Sequence, residues 1–165
     1  MQPPEPDPVL ARIKNVIVVE EFHPAPLRPL FEPDGRRLRV PMAELIERTE
    51  QALGVPFPDW LRAVYLRCNG FCGTRSLLGL DGTSGVVEFN LALRQQEWAP
   101  SWFRRAILFM NGGDTFSVNP HWWALDGRLV EWYAQDGEQY RVLDCDLFAL
   151  LAREQEYEDQ LAGGE

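Results

Sequence analysis

The hydrophobic period changes sharply along this chain, and that change limits the folds open to it. Between Pro41 and Gly70 apolar residues recur at the i, i+3, i+4 spacing of amphipathic helices. From Leu77 to Leu143 they fall instead into short alternating, β-branched or aromatic runs, and after Asp146 the helical spacing returns. Helix, helix, sheet, helix is an α+β order, since a chain that segregates its two periods cannot build the repeated βαβ units of a parallel sheet.

The first helix is predicted to start at Pro41, with Met42, Leu45, Ile46, Thr49 and Leu53 on its apolar face and Gly54 as its stop. Val55-Pro56-Phe57 is a short linker, and Pro58 with Asp59 opens a second helix. Trp60, Leu61, Val64, Tyr65 and Cys68 form its stripe, and Asn69-Gly70 ends it. Strands are predicted at Leu77–Leu80, Val86–Phe89, Ala106–Met110, Thr115–Val118, Trp122–Leu125, Arg128–Tyr133 and Gln139–Leu143, with a short helix over Leu91–Trp98. Asp126-Gly127 and Asp136-Gly137 are tight-turn dipeptides, so residues 105–143 read as an antiparallel β-meander. Asp144 or Asp146 then caps a closing helix that turns Leu147, Phe148, Leu150, Leu151 and Tyr157 inward.

Nine of the thirteen prolines lie in residues 1–41, which favours an extended arm. Residues 15–19 read as one strand of that arm, and Leu30–Val40 as a hairpin turning at Glu32-Pro33-Asp34-Gly35. The expected organisation is therefore residues 1–40 as a proline-rich arm and residues 41–161 as a single domain, compact overall. The longest apolar run, Leu147–Ala152, is far short of the ~20 residues that span a bilayer. The first residues lack the basic and apolar regions of a signal peptide, and three cysteines (Cys68, Cys72, Cys145) are too few and too odd for a disulfide framework. A cytoplasmic protein is expected, with no membrane partner.

Sixteen basic against twenty-five acidic residues give a net charge of −9, which argues against direct nucleic-acid binding. Residues 131–165 hold ten carboxylates and only two arginines, so nearly all of that excess belongs to the C-terminal end. Glu131, Asp136 and Glu138 lie in the meander, whereas Glu154, Glu156, Glu158 and Asp159 belong to the closing helix.

Catalytic motifs are weak. Asn111-Gly112-Gly113-Asp114-Thr115 lacks the lysine of a phosphate loop and reads as a tight turn with positive-φ glycines. Cys68, Cys72, His121 and Cys145 lack the two close ligand pairs of a structural zinc site, so no metal is expected. Asp144 and Asp146 are better explained as caps than as paired catalytic carboxylates. A hydrolase would need Asp114 or Glu131 to converge with His121. No cofactor is implied.

The six tryptophans say more. Trp60 belongs to the second helix, while Trp122, Trp123 and Trp132 sit on neighbouring strands. Adjacent strand residues point to opposite faces, so one of Trp122 and Trp123 is expected to meet solvent, the arm or a partner. Trp98 and Trp102 flank Ala99-Pro100-Ser101, where they either anchor an interface or pin the loop on the sheet. The candidate partner-binding residues are thus Trp98, Trp102, Trp122, Trp123, Glu131, Asp136 and Glu138.

The run from Ile46 through Leu53-Gly54-Val55-Pro56-Phe57-Pro58-Asp59-Trp60, then Tyr65 and Asn69-Gly70, resembles the SUKH superfamily. Gly112-Gly113-Asp114 within Ile107–Val118 is similar to the family's central hairpin, and Asp126-Gly127, Val130–Tyr133 and Asp146–Leu151 extend the likeness over roughly residues 40–155. The resemblance implies a binding scaffold: bacterial members act as immunity proteins against cognate toxins, often nucleases, and others are fungal cell-wall-synthesis regulators or intracellular adaptors. It implies no catalytic residues, because Leu53, Gly54, Pro58, Trp60, Asn69, Gly70, Gly113 and Asp114 read as folding positions. The leading expectation is an immunity protein that binds a basic toxin stoichiometrically. The alternatives are a regulatory scaffold without a toxin and, least favoured, a hydrolase.

Overall fold

The computed structural model describes residues 16–18, 23–24, 39–71, 75–80, 85–112, 118–145 and 147–163. Its elements are α+β, and each forms for a local reason that the tertiary packing then uses. Helix α1 (Met42–Leu53) buries Met42, Leu45, Ile46, Thr49 and Leu53. The Thr49 hydroxyl, which would be costly to bury alone, donates to Leu45 O at 2.7 Å. Glu44 and Arg48 pair at 2.7 Å on the outer face, and the helix ends at left-handed Gly54. Helix α2 (Asp59–Tyr65) follows Pro58. Glu50 locks the corner between the two helices, accepting the Phe57 N–H at 3.0 Å and Arg62 at 2.6 Å.

Helix α2 is shorter than its sequence stripe. It stops at Tyr65, and Cys68–Phe71 is instead β4, a fully buried strand. The reason is long-range. β4 lies between β1 (Val16–Val18) and β5 (Ser76–Leu77), and the Asn69 side chain accepts the Leu80 N–H at 2.9 Å. Gly70 has φ 103°, and a Cβ there would stand 2.6 Å from Leu77 O, so only glycine permits the strands to approach. Asn69-Gly70 is therefore a sheet motif and not a helix stop.

A second correction concerns Val86–Phe89, which is not a strand. It is the first half of α3 (Val86–Arg94), with Val86, Val87, Asn90 and Leu93 buried and Glu88, Leu91 and Ala92 exposed. The β-branched pair suggested a strand, but the burial period is helical. The short helix expected at Leu91–Trp98 thus begins earlier and ends earlier. Trp102 and Phe103 follow on a 3-10 turn, Ser101–Arg105.

The principal sheet is antiparallel, in the order β1-β4-β5-β6-β7-β8-β9. β6 is Ala106–Asn111, β7 His121–Leu125, β8 Arg128–Trp132 and β9 Arg141–Val142. Between β7 and β8, Asp126 and Gly127 both have positive φ (51° and 78°), as the tight Asp-Gly turn demands. The Asp136-Gly137 connection is longer than a tight hairpin. It contains a second 3-10 turn, Ala134–Asp136, because its carbonyls receive two buried indoles: Trp132 donates to Gly137 O at 2.8 Å and Trp102 to Glu138 O at 3.0 Å. β6 carries a bulge between Leu108 and Met110.

In the first forty residues, β3 (Arg39–Val40) pairs with β2 (His23–Pro24). The expected turn at Glu32–Gly35 lies outside the described residues, as do Cys72, Gly113, Asp114, Asp146 and most of Thr115–Val118. Gly112 does not have the positive φ expected of it. It is required by close approach, since a Cβ would sit 2.7 Å from Pro120 O. Helix α4 (Leu147–Gly163) closes the order, burying Leu147, Leu150 and Leu151, while its Tyr157 ring faces the Arg75 guanidinium at 4.8 Å.

Candidate protein-binding surface

Alternation along β7 and β8 decides where the candidate residues go. Trp122 pairs with Glu131 and Ala124 with Leu129 on one face; His121 pairs with Trp132 and Trp123 with Val130 on the other. Both faces are covered, so Trp122 and Trp123 are each buried, at 1% and 0% exposure. Of the expectation that one of them meets solvent, the arm or a partner, the solvent and partner alternatives are corrected for that reason, since opposite faces do not imply an exposed face when the sheet has two cores; the side chains of the arm lie outside the described residues. Trp102, at 2%, also lies inside, in ring contact with Trp123 at 5.2 Å. Trp98 is the exception at 53%, its ring edge-on to Phe103.

The three meander carboxylates divide as well. Glu138 clasps the 3-10 turn, accepting the Ser101 N–H and hydroxyl at 2.8 Å each. Glu131 is largely buried and accepts the Trp122 indole at 3.2 Å and Arg141 at 2.7 Å. It lines a cavity of about 360 Å³ with Tyr133, Asp136, Gln139, Tyr140 and Arg141. Burial, and then the neighbouring Glu131 carboxylate, raises the Tyr133 phenol above its ordinary value. Glu131 and Asp136 are thus brought together, with two tyrosines that sequence reasoning did not single out. The alternating run Gln139–Leu143 was the available signal, but periodicity does not say which of its faces is open.

Of the two carboxylates a hydrolase would pair with His121, Asp114 lies outside the described residues and Glu131 does not converge with it. His121 lies on the sheet face opposite Glu131, and its imidazole packs against Trp132 at 5.8 Å. Burial lowers its pKa to about 4, which leaves the ring neutral at pH 7. Cys68 is buried and its thiol is pushed up by desolvation, away from a reactive thiolate. Among the described residues no three His, Cys, Asp or Glu side chains gather as a metal site would require.

The family model of the SMI1 / KNR4 family (SUKH-1) matches residues 41–159, most of the chain. The chain belongs to the SMI1 / KNR4 family. No curated protein and no solved structure matches it. Membership in SUKH-1 supports a protein-binding domain of the immunity or regulatory type. Several positions that carried the likeness have folding roles in this SUKH-1 domain. Leu53 is buried, Gly54 and Pro58 bound the two helices, and Asn69 and Gly70 fix β4. Trp60 donates to Gly127 O at 2.9 Å and meets Phe109 edge-on, pinning α2 to the β7–β8 turn. No helix among the described residues is long and apolar enough to cross a membrane.

Proposed function

We propose that this SUKH-1 domain is a non-catalytic immunity protein that acts in the cytoplasm by binding a cognate toxin stoichiometrically. The supporting observation is the exposed β8–β9 end of the sheet, where Glu131 and Asp136 share a cavity with Tyr133 and Tyr140. Tyrosine supplies contact area at small entropic cost, and the carboxylates give that area a sign. A toxin that cleaves nucleic acid must carry a basic channel, and a chain of net charge −9 would meet such a channel with electrostatic steering. Trp98, exposed and edge-on to Phe103 of the 3-10 turn, is a second contact candidate.

The test is co-purification with the product of the neighbouring gene. A one-to-one complex is expected, with an association rate that falls as salt rises and falls again, by roughly tenfold, in an Asp136→Lys Tyr140→Ala double variant. A neighbouring gene that encodes no toxin, together with no protein bound at micromolar concentration, overturns the reading and leaves the regulatory-scaffold alternative.

A further inference from the structure

Among the described residues β9 ends the sheet, with one side of its backbone unused by its neighbour. Its register with β8 places Val142 opposite Val130 and Arg141 opposite Glu131, and the Leu143 N–H donates to Leu129 O at 2.9 Å. In an antiparallel strand the N–H and C=O of alternate residues face alternate sides. Leu143 faces β8 through that bond, so the backbone groups of Val142 face outward, and continuing the same alternation past the start of β9 puts those of Tyr140 on the same side. Both side chains are also exposed, Tyr140 at 40% and Val142 at 38%.

Three cavities border this short segment. One of about 360 Å³ holds Glu131 and Asp136 beside Arg141. Another, of about 370 Å³, lies along Leu143 and Asp144, next to Leu129. The third, of about 260 Å³, runs past Tyr140 and Val142 to Val130 and Asp126. A strand laid against β9 would send alternate side chains to the two faces, toward cavities already there. Four carboxylates line them (Asp126, Glu131, Asp136, Asp144) against two guanidiniums (Arg128, Arg141). The occupant should therefore be cationic on at least one face. A second copy of this acidic chain is disfavoured by the same charge.

We propose that the β9 edge receives an extended basic segment of a protein partner as an added strand, hydrogen-bonded to the backbone of Tyr140 and Val142. Lysine or arginine side chains enter the Glu131–Asp136 and Asp144 cavities, and β-branched ones pack on Tyr140 and Val142. This deepens the protein-binding reading above and rests on it for the existence of a partner.

The test uses the full chain and two blocked peptides, one alternating lysine with valine and one alternating glutamate with valine. The lysine peptide should bind saturably and slow amide exchange at Tyr140 and Val142, while the glutamate peptide should not. Val142→Pro removes only an outward N–H, the position an edge strand tolerates, and should weaken binding about tenfold with the near-ultraviolet circular dichroism unchanged. Should that variant fail to fold, Val142→Lys keeps the N–H, adds a like charge and should show the same loss. No saturable binding at millimolar peptide overturns the proposal, as do equal binding of both peptides, protection elsewhere, or concentration-dependent pairing of the chain through this edge. The immunity reading fails separately. A toxin complex indifferent to Val142→Pro and Val142→Lys removes the edge proposal alone, whereas peptide binding at β9 without any toxin partner removes the immunity reading alone.

Discussion

One face of the sheet lies under α1, α2 and α4, where Leu45, Ile46, Leu61, Val64, Leu147 and Leu151 meet Ile107, Phe109 and Trp122. The other face has Trp102, Phe103, Trp123 and Trp132 at its centre, joined by Leu93, Leu108, Leu125 and Val130. The helical face takes long elements to cover it. Among the described residues the aromatic face is covered by one edge of α3 (Phe89 and Leu93), a five-residue 3-10 turn and the β8–β9 loop, because each ring buries roughly 150–250 Å² and the rings cover one another. Phe103 stacks on Trp123 at 4.2 Å, and Trp102 and Trp132 stand edge-on around them. A small domain can thus close a second core with very little chain. The cost is polar: three indole N–H groups enter that core, and only those of Trp102 and Trp132 find loop carbonyls. Trp123 Nε1 has no partner among the described residues.

The largest expected effect breaks the aromatic face. Trp123→Ala should destabilise the protein by about 3–5 kcal/mol in chemical denaturation, and it should abolish most of the near-ultraviolet circular dichroism. Trp123→Phe should cost far less, since it removes an unsatisfied N–H along with the volume. If Trp123→Ala costs less than Leu61→Ala on the helical face, the aromatic core is an accessory and the comparison fails.

The next effect follows from His121, which belongs to the aromatic side. Its pKa is about 4 when folded and near 6.5 when unfolded, so the unfolded chain binds the proton first as pH falls. The His121 contribution is whole above pH 6.5 and is lost on descending to about 4, on the order of 3 kcal/mol. Denaturation at pH 7.5 and 4.5 should show a smaller stability loss in His121→Phe than in the parent chain. Equal losses would mean that the imidazole is not shielded.

The smallest effect sharpens the boundary between the faces. α3 contributes Val86 and Val87 to one core and Leu93 to the other. Asn90 joins it to β6: its side-chain amide accepts the Leu108 N–H at 2.8 Å and donates to Leu108 O at 2.9 Å, as a neighbouring strand would. β5 is too short to reach Leu108, so one side chain completes the edge. Arg94 adds bonds to Leu53 O, Phe103 O and Ala106 O, spanning α1, the 3-10 turn and β6. Asn90→Ala should cost about 2 kcal/mol and speed amide exchange at Leu108. Unchanged exchange there would show that the backbone finds another partner.

Some of this was readable from local pattern. The boundaries of α1, the start of α2, the Asp126-Gly127 turn and the strands around it each depend on residues within a few positions of one another. The acidic meander could be named as a surface, yet its composition did not separate Glu131 and Asp136, which share a cavity, from Glu138, which holds a loop. Tyr133 and Tyr140 passed unnoticed because exposure is not a sequence period.

The sequence by itself determined the α+β class, the order of its periods and the likeness to SUKH proteins, since all three are written in neighbouring residues. Only the tertiary structure decided that Asn69-Gly70 lies in a strand, that Val86–Phe89 is helical, and that Trp122 and Trp123 are both buried. Those outcomes turn on contacts between distant segments: the approach of β5 to Gly70, the packing of α3 between two cores, and the presence of a cover on each face of the sheet.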